Sequence, residues 1–418
     1  MMIRFFRMGR ALLAVLPLFA FWLPGTAAGL TFDEALRLAG QHAPSLSAEA
    51  ARVQAVRSEA IAAGELPDPK LLLGVQSLPI EGSERWSLND DGMTMRMVGL
   101  MQEMPNREKR RARADVAHAA IGRAEAAREI EAMKVRLVTA QAWIASYAVE
   151  RKLHLFGELR AENRLLAEAV RARLAGGRGQ LTDQVAARQQ EAAQLAERQD
   201  ELEQQRRLAR AALLRWVGAE GNQPLSGELP SWPIERQTLL RQLERHPQLS
   251  AFAPMAREAQ ARIREATAEK RGDWSWEVAY LKRGREFGDM LNLEFSFDLP
   301  VSQRTRQNPR IAARHAELNR LEAEREAVAR EIAEQLEAEL AELARLQRAL
   351  ARSGELQLPL AREKVELAMS SYRAGRGELD ALLAARNELI EARLKHIDLQ
   401  GLEAIARTRL HLAYGEAK

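Results

Sequence analysis

The chain has 418 residues, with 62 basic and 58 acidic side chains, 5% aromatics and no cysteine. So few aromatics beside 29% charged residues describe long packed helices, not one thick core. Without cysteine there is no disulfide, thiolate metal site or lipidated thiol, and interspersed charges exclude the basic footprint of a nucleic-acid partner.

Residues 1–28 are expected to be a cleavable signal peptide. Arg4, Arg7 and Arg10 form a positive start, Ala11 to Pro24 is apolar, and Thr26-Ala27-Ala28 supplies small residues for cleavage after Ala28. The apolar run is too short for a transmembrane anchor. Without those three arginines the remainder carries 59 basic and 58 acidic side chains, a net charge of +1.

The rest divides into a first repeat at 29–219, a linker at 220–233 and a second repeat at 234–418. Strands are expected at about 68–78 and 93–104, joined by the polar loop PIEGSERWSLNDDG at 79–92. No proline occurs between Pro105 and Pro224, and apolar residues such as Val135, Val138, Trp143, Tyr147 and Leu159 recur at helical spacing. This predicts helices over about 106–174 and 181–216, the first of them about 100 Å long. EGNQPLSGELPSWP then links the repeats.

In the second repeat Trp274, Trp276, Val278 and Tyr280 alternate with Ser275, Glu277 and Ala279. In MLNLEFSFDL, Leu291, Leu293, Phe295, Phe297 and Leu299 alternate with Asn292, Glu294, Ser296 and Asp298. A period of two predicts strands at about 273–281 and 290–299, each with one apolar and one wet face. Helices follow at about 309–372 and 379–414. The first carries a coiled-coil seam from Leu318 to Leu350, and Gly354 with Pro359 predicts a kink.

The repeats show themselves most clearly at their helix-turn-helix tips. GRGQLTDQVAAR at 177–188 and GRGELDALLAAR at 375–386 share Gly177/Gly375, Arg178/Arg376, Gly179/Gly377 and Leu181/Leu379 at a fixed offset. QHAPSLSA at 41–48 is echoed by RHPQLSA at 245–251. The fold class is therefore mainly α with a small β part, as two units of β-hairpin plus long helical hairpin.

Strands of roughly ten residues are long enough to cross an outer membrane when tilted. Four of them leave two raw edges, which lipid does not tolerate. Closing a barrel takes about eight strands or more, so three chains supplying about twelve are expected to close one.

The leading LTFDEALRLA, GELPDPKLLLG at 64–74, QEMP at 102–105 and the two tip sequences resemble the TolC family of outer-membrane efflux ducts. Met93-Thr94-Met95 ahead of GLMQEMP is similar to the heavy-metal, CusC/CzcC-like branch. The resemblance implies a homotrimer with a 12-stranded barrel in outer-membrane lipid and a 12-helix barrel reaching into the periplasm. It implies as partners a periplasmic adaptor and, through it, an RND-type inner-membrane pump that selects the cargo, so metal ions, drugs and other solutes stay open as cargo, with heavy-metal cations favoured by the branch resemblance. The tips, with Gly177, Arg178, Gly179, Leu181, Gly375, Arg376, Gly377 and Leu379, would dock the adaptor, Leu181 and Leu379 as apolar contacts. Asp183 and Asp380 would be the gate. The acidic ring of the family is only half matched, because Ala381 stands where copy one has Asp183.

Met93, Met95 and Met97 share one strand parity and Arg96 the other. Since an arginine facing lipid is costly, the methionines are expected to face the bilayer, and Arg96 the lumen with Asn292 and Glu294. No metal site is therefore assigned to these thioethers, although such groups bind soft cations. The seven histidines show no HExxH spacing, and neither a phosphate loop nor a nucleophile–base set occurs, so no catalysis, cofactor or metal is expected. Two other readings share the helical hairpins. A periplasmic adaptor would carry one hairpin and further β-domains, and a structural coiled coil has no use for the strands at 274–299.

Overall fold

Proline spacing dictates the longest element. The computed structural model describes residues 29–175, 181–284 and 286–415, without the side chains of 161–167 and 169–191. The expected signal peptide and the tip residues Gly177, Arg178 and Gly179 lie outside the described residues. Two helices open the fold, α1 (Phe32–His42) and α2 (Pro44–Ala62), then strands β1 (Lys70–Gln76) and β2 (Met95–Met104). Helix α3 (Arg107–Ala175) runs 69 residues, about 100 Å at 1.5 Å per residue. Asn106 caps it, its Oδ1 accepting the Lys109 amide at 2.9 Å. Helix α4 (Leu181–Val217) follows.

The later part holds the short helices α5 (Arg236–Gln242) and α6 (Pro247–Ser250), then α7 (Phe252–Ala268), β3 (Trp274–Lys282) and β4 (Met290–Phe297). Helices α8 (Gln307–Arg352), α9 (Leu358–Arg373) and α10 (Leu379–Leu410) complete it. The chain is thus mainly helical with one small antiparallel sheet, ordered β1-β2-β3-β4. Among the described residues no helix is long and apolar enough to cross a membrane.

Residues 353–357, the site of the expected kink, form a single π-turn between α8 and α9, closed by the Leu358 amide on the Ser353 carbonyl. Pro359 has no amide to give and its ring crowds the preceding turn, and a wider turn accommodates both. His396 on α10 packs against it, with Nδ1 3.2 Å from Ser353 Oγ and Nε2 accepting from Gln400 Nε2 at 3.2 Å. Burial first, then the charges of Arg151 and Arg362, push this imidazole below the ordinary histidine range.

Two of the buried clusters anchor the long helices to the short ones. Leu30, Phe32, Trp143, Ile144, Leu213 and Val217 form the first, where α1, α3 and α4 meet. Leu239, Leu249, Ile332, Leu336, Leu343 and Leu410 form the second, where α8 and α10 meet the short helices. The 220–233 segment is no slack tether. Leu225, Leu229 and Trp232 pack on the first cluster, and the Leu30 amide donates to the Pro224 carbonyl at 2.8 Å.

Candidate functional site

Three places carry chemistry that the helical body does not need: the sheet, its junction with the helices, and the α9–α10 tip. The sheet comes first because its register sorts every side chain onto one of two faces. Residues directly opposite in an antiparallel pair share a face. One face therefore carries the rows Leu73–Val98–Tyr280–Leu291, Leu71–Leu100–Val278–Leu293 and Gln102–Trp276–Phe295. Met104, Trp274 and Phe297 end it near the helices, with the last two rings stacked at 6.3 Å. The other face carries Gly74–Met97–Leu281–Met290, Leu72–Gly99–Ala279–Asn292 and Lys70–Met101–Glu277–Glu294.

The register corrects two expectations about this wall. Arg96 pairs with Val75 and Lys282, which places it on the apolar face, opposite to Asn292 and Glu294. Met95 and Met97 pair with Gln76 and Gly74 and so share the wet face with Asn292 and Glu294. Gln76 Nε2 lies 3.5 Å from Met97 Sδ on that face. The reason is that β2 alternates apolar with apolar. Val98 and Leu100 stand on one side and Met97 and Met101 on the other, so its own pattern cannot say which side is wet.

Among the described residues nothing covers the apolar face. Leu73 is 70% exposed, Leu293 60% and Phe297 64%. Strands β1 and β4 end the sheet, each with one side unpaired among the described residues. A soluble monomer rarely leaves so large an apolar surface and two strand edges bare.

At the junction, Asn106 ties both halves of the chain together. Its amide donates to Asp273 Oδ1 at 2.9 Å, and its Nδ2 donates to the carbonyls of Arg271 at 2.9 Å and Ala268 at 3.2 Å. Lys109 Nζ pairs with Asp273 Oδ2 at 2.5 Å. Partial burial raises the Asp273 carboxyl pKa. The hydrogen bonds from Lys109 and the Asn106 amide, with the charges of Lys109 and Arg113, outweigh it and hold the group below the usual carboxylate range. The Asp298 amide closes the set on the Asp273 carbonyl at 2.8 Å. The start of α3, the start of β3 and the end of β4 thus form one polar knot. An asparagine just ahead of a helical run is the signal in the sequence that marks it.

At the tip, α9 ends with the Ala374 amide on the Ser370 carbonyl, and Gly375 adopts φ +77°. The amides of Arg376 and Gly377 both donate to the Ser371 carbonyl at 3.1 Å. This is a left-handed helix stop, the conformation that favours glycine. Leu379 departs from expectation. It is 6% exposed, packed with Tyr372, Leu382 and Leu383, and so holds the hairpin shut and offers no apolar contact to a partner. Arg376 and Asp380 are exposed at the turn. Leu181 opens α4 and Asp183 lies in its first turn, but their side chains fall outside the described residues. Gly375→Ala is expected to cost about 1–2 kcal/mol locally, the penalty of a Cβ in the left-handed region. Hydrogen exchange at Tyr372–Leu383 should speed up about tenfold or more while the amides of α8 keep their rates.

Among the described residues no group of three or more His, Asp or Glu could hold a metal. No protein-family model matches the chain, and no curated protein matches it. Solved structures do. The Campylobacter jejuni CmeC outer membrane channel superposes with a TM-score of 0.75 at 12% identity, over 92% of this chain and 85% of that one. The open state of the Neisseria gonorrhoeae MtrE outer membrane channel gives 0.74 at 16% identity, over 92% and 88%. CusC, in a study of its folding and transmembrane channel formation, gives 0.76 at 14% identity, over 92% of each chain. The fold of this chain is therefore the fold of these channels.

Proposed function

We propose that this chain is one third of an outer-membrane exit duct. Three copies would pair β4 of one with β1 of the next and close a 12-stranded barrel, with the long helices forming the periplasmic tube. The repeats at 29–219 and 234–418 would supply alternate staves of both parts. The carrying observation is the open sheet, with an exposed apolar face and two unpaired edges. Lipid covers such a face, and only closure removes the edges. Exposed leucines on the helices, Leu208, Leu356, Leu360 and Leu367, support lateral packing between copies.

On this reading the wet face lines the lumen, with Asn292, Glu294 and Glu277 as its polar groups, and export by the leader at 1–28 delivers the chain. The tips around Gly177–Leu181 and Gly375–Leu379 would meet a periplasmic adaptor that links the duct to an inner-membrane pump of the RND type, with Asp183 and Asp380 at the gate. Arg376 and Asp380, exposed at the turn, are the contacts the fold supports best there. Heavy-metal cations are the proposed cargo. In support, Met95, Met97 and Met101 share their face with Glu277 and Glu294, which places soft and anionic groups along one wall.

The test exploits neighbours of opposite parity in the middle of the sheet. Leu293→Arg puts a cation at mid-membrane, worth about 2–4 kcal/mol in each chain, and should abolish insertion of the trimer into bilayers. Asn292→Arg should insert normally and lower cation conductance. Equal insertion of both variants, or a monomer that stays dispersed without detergent, overturns the reading.

A further inference from the structure

Arg96 stands on the apolar face at the end of the strands farthest from the helices, directly across from Lys282. Like charges paired across strands repel. Neither has an ion-pair partner among the described residues, and Arg96 Nε is buried without a hydrogen bond. Three acids of the adjoining loops accept hydrogen bonds from neutral hydroxyls and pair with neither cation. Asp289 accepts from Tyr280 Oη, Asp91 from Thr94 Oγ1 at 3.0 Å, and Asp90 from Ser87 Oγ at 2.7 Å. Two adjacent cations without an ion-pair partner, with the Arg96 Nε donor also unused, can draw an anion to this end of the face.

Position selects the anion. Lys282 and Trp274 are eight residues apart on β3, about 27 Å along the strand and about 20 Å along the membrane normal once tilted. Between them lie rows that are apolar but for Gln102 and the Tyr280 hydroxyl, with Trp274, Trp276, Phe295 and Phe297 as an aromatic belt at the helix end. The cation pair therefore sits where the acyl chains give way to headgroups. A free anion in bulk water would have no use for the apolar rows beneath.

We infer that Arg96 and Lys282 bind the phosphate of an outer-leaflet lipid headgroup, whose acyl chains lie along Val98, Leu73 and Leu291. The planar guanidinium supplies two parallel donors to phosphate oxygens and Lys282 supplies a point charge. The inference rests on the reading that this face meets lipid.

The experiment uses the assembled full-length protein in phosphatidylcholine nanodiscs doped with diphosphoryl lipid A or its dephosphorylated counterpart. Lipid retained through detergent exchange is counted by native mass spectrometry. Wild type should retain the phosphorylated lipid about tenfold more than the Arg96→Gln, Lys282→Gln double variant, and both proteins should retain the dephosphorylated lipid equally. Arg96→Lys should fall between, because it keeps the charge and loses the fork. Equal retention of phosphorylated lipid by wild type and double variant overturns the inference. So does full displacement of that lipid by millimolar inorganic phosphate, which would make the site one for a free anion. Conductance of the same nanodisc samples separates the two levels. A double variant that inserts and conducts without selective retention sinks this inference alone, whereas a wild type that fails to insert sinks the channel reading.

Discussion

Gly272→Ala is expected to prevent the sheet from docking on its helices. A Cβ on residue 272 would lie 1.8 Å from the Asp298 carbonyl oxygen and 2.8 Å from its carbon. Both are backbone atoms, so no rotamer change relieves the clash. The strand must move, and the Asp298 amide must leave the Asp273 carbonyl it meets at 2.8 Å. Overpacking against backbone together with that hydrogen bond costs about 3 kcal/mol or more. The yield of folded protein should collapse, and its thermal midpoint should drop well below that of the parent. Gly288→Ala is the control, because nothing lies within 4 Å of the added carbon and its backbone is not left-handed. It should stay within about 0.5 kcal/mol of the parent. Equal behaviour of the two variants would show that the junction tolerates what its geometry forbids.

That junction also marks how far the sequence can be read. Mainly helical with a small sheet is legible, because alternation in 290–299 and the proline-free run after Pro105 are strong periodic signals. Helix α2 is not, since only Val53 and Ala60 of its 19 residues are buried and no apolar stripe announces it. The faces of β2 are not legible either. Strand parity is local, but which parity is wet depends on the partner across the sheet, and Lys282 is nearly two hundred residues away from Arg96. The same holds at the tip. Two glycines and a leucine read as a surface motif until Tyr372 and Leu382 are seen to close over Leu379. Sequence periodicity reports the neighbours along a chain, and the candidate site is made by neighbours across it.

Trp143→Ala is expected to cost about 3–5 kcal/mol, the range for emptying a buried large aromatic. Trp143 is fully buried, packed edge-on against Phe32 at 5.5 Å and stacked on Tyr147 at 5.1 Å. Its Nε1 donates to the Leu30 carbonyl at 3.1 Å. One side chain therefore pins the start of the described chain to α3, while Phe32 passes the contact on to Trp232 at 5.8 Å. Trp143→Phe separates the two contributions. It keeps a ring in the cluster and removes one of the two donors to the Leu30 carbonyl, which keeps the Ser226 amide at 3.2 Å, so the loss is about 0.5–1.5 kcal/mol. Midpoints in denaturant, followed by far-ultraviolet circular dichroism, should rank parent above Trp143→Phe above Trp143→Ala. If both variants fall equally, the hydrogen bond carries the stability. If Trp143→Phe matches the parent, ring packing alone carries it and the Ser226 amide satisfies the Leu30 carbonyl by itself. Because the cluster sits where α1, α3, α4 and the 220–233 segment converge, the loss should be felt far from the sheet. Exchange protection should drop first at Leu30–Leu38 and around Leu225, the segments that pack on the tryptophan's cluster.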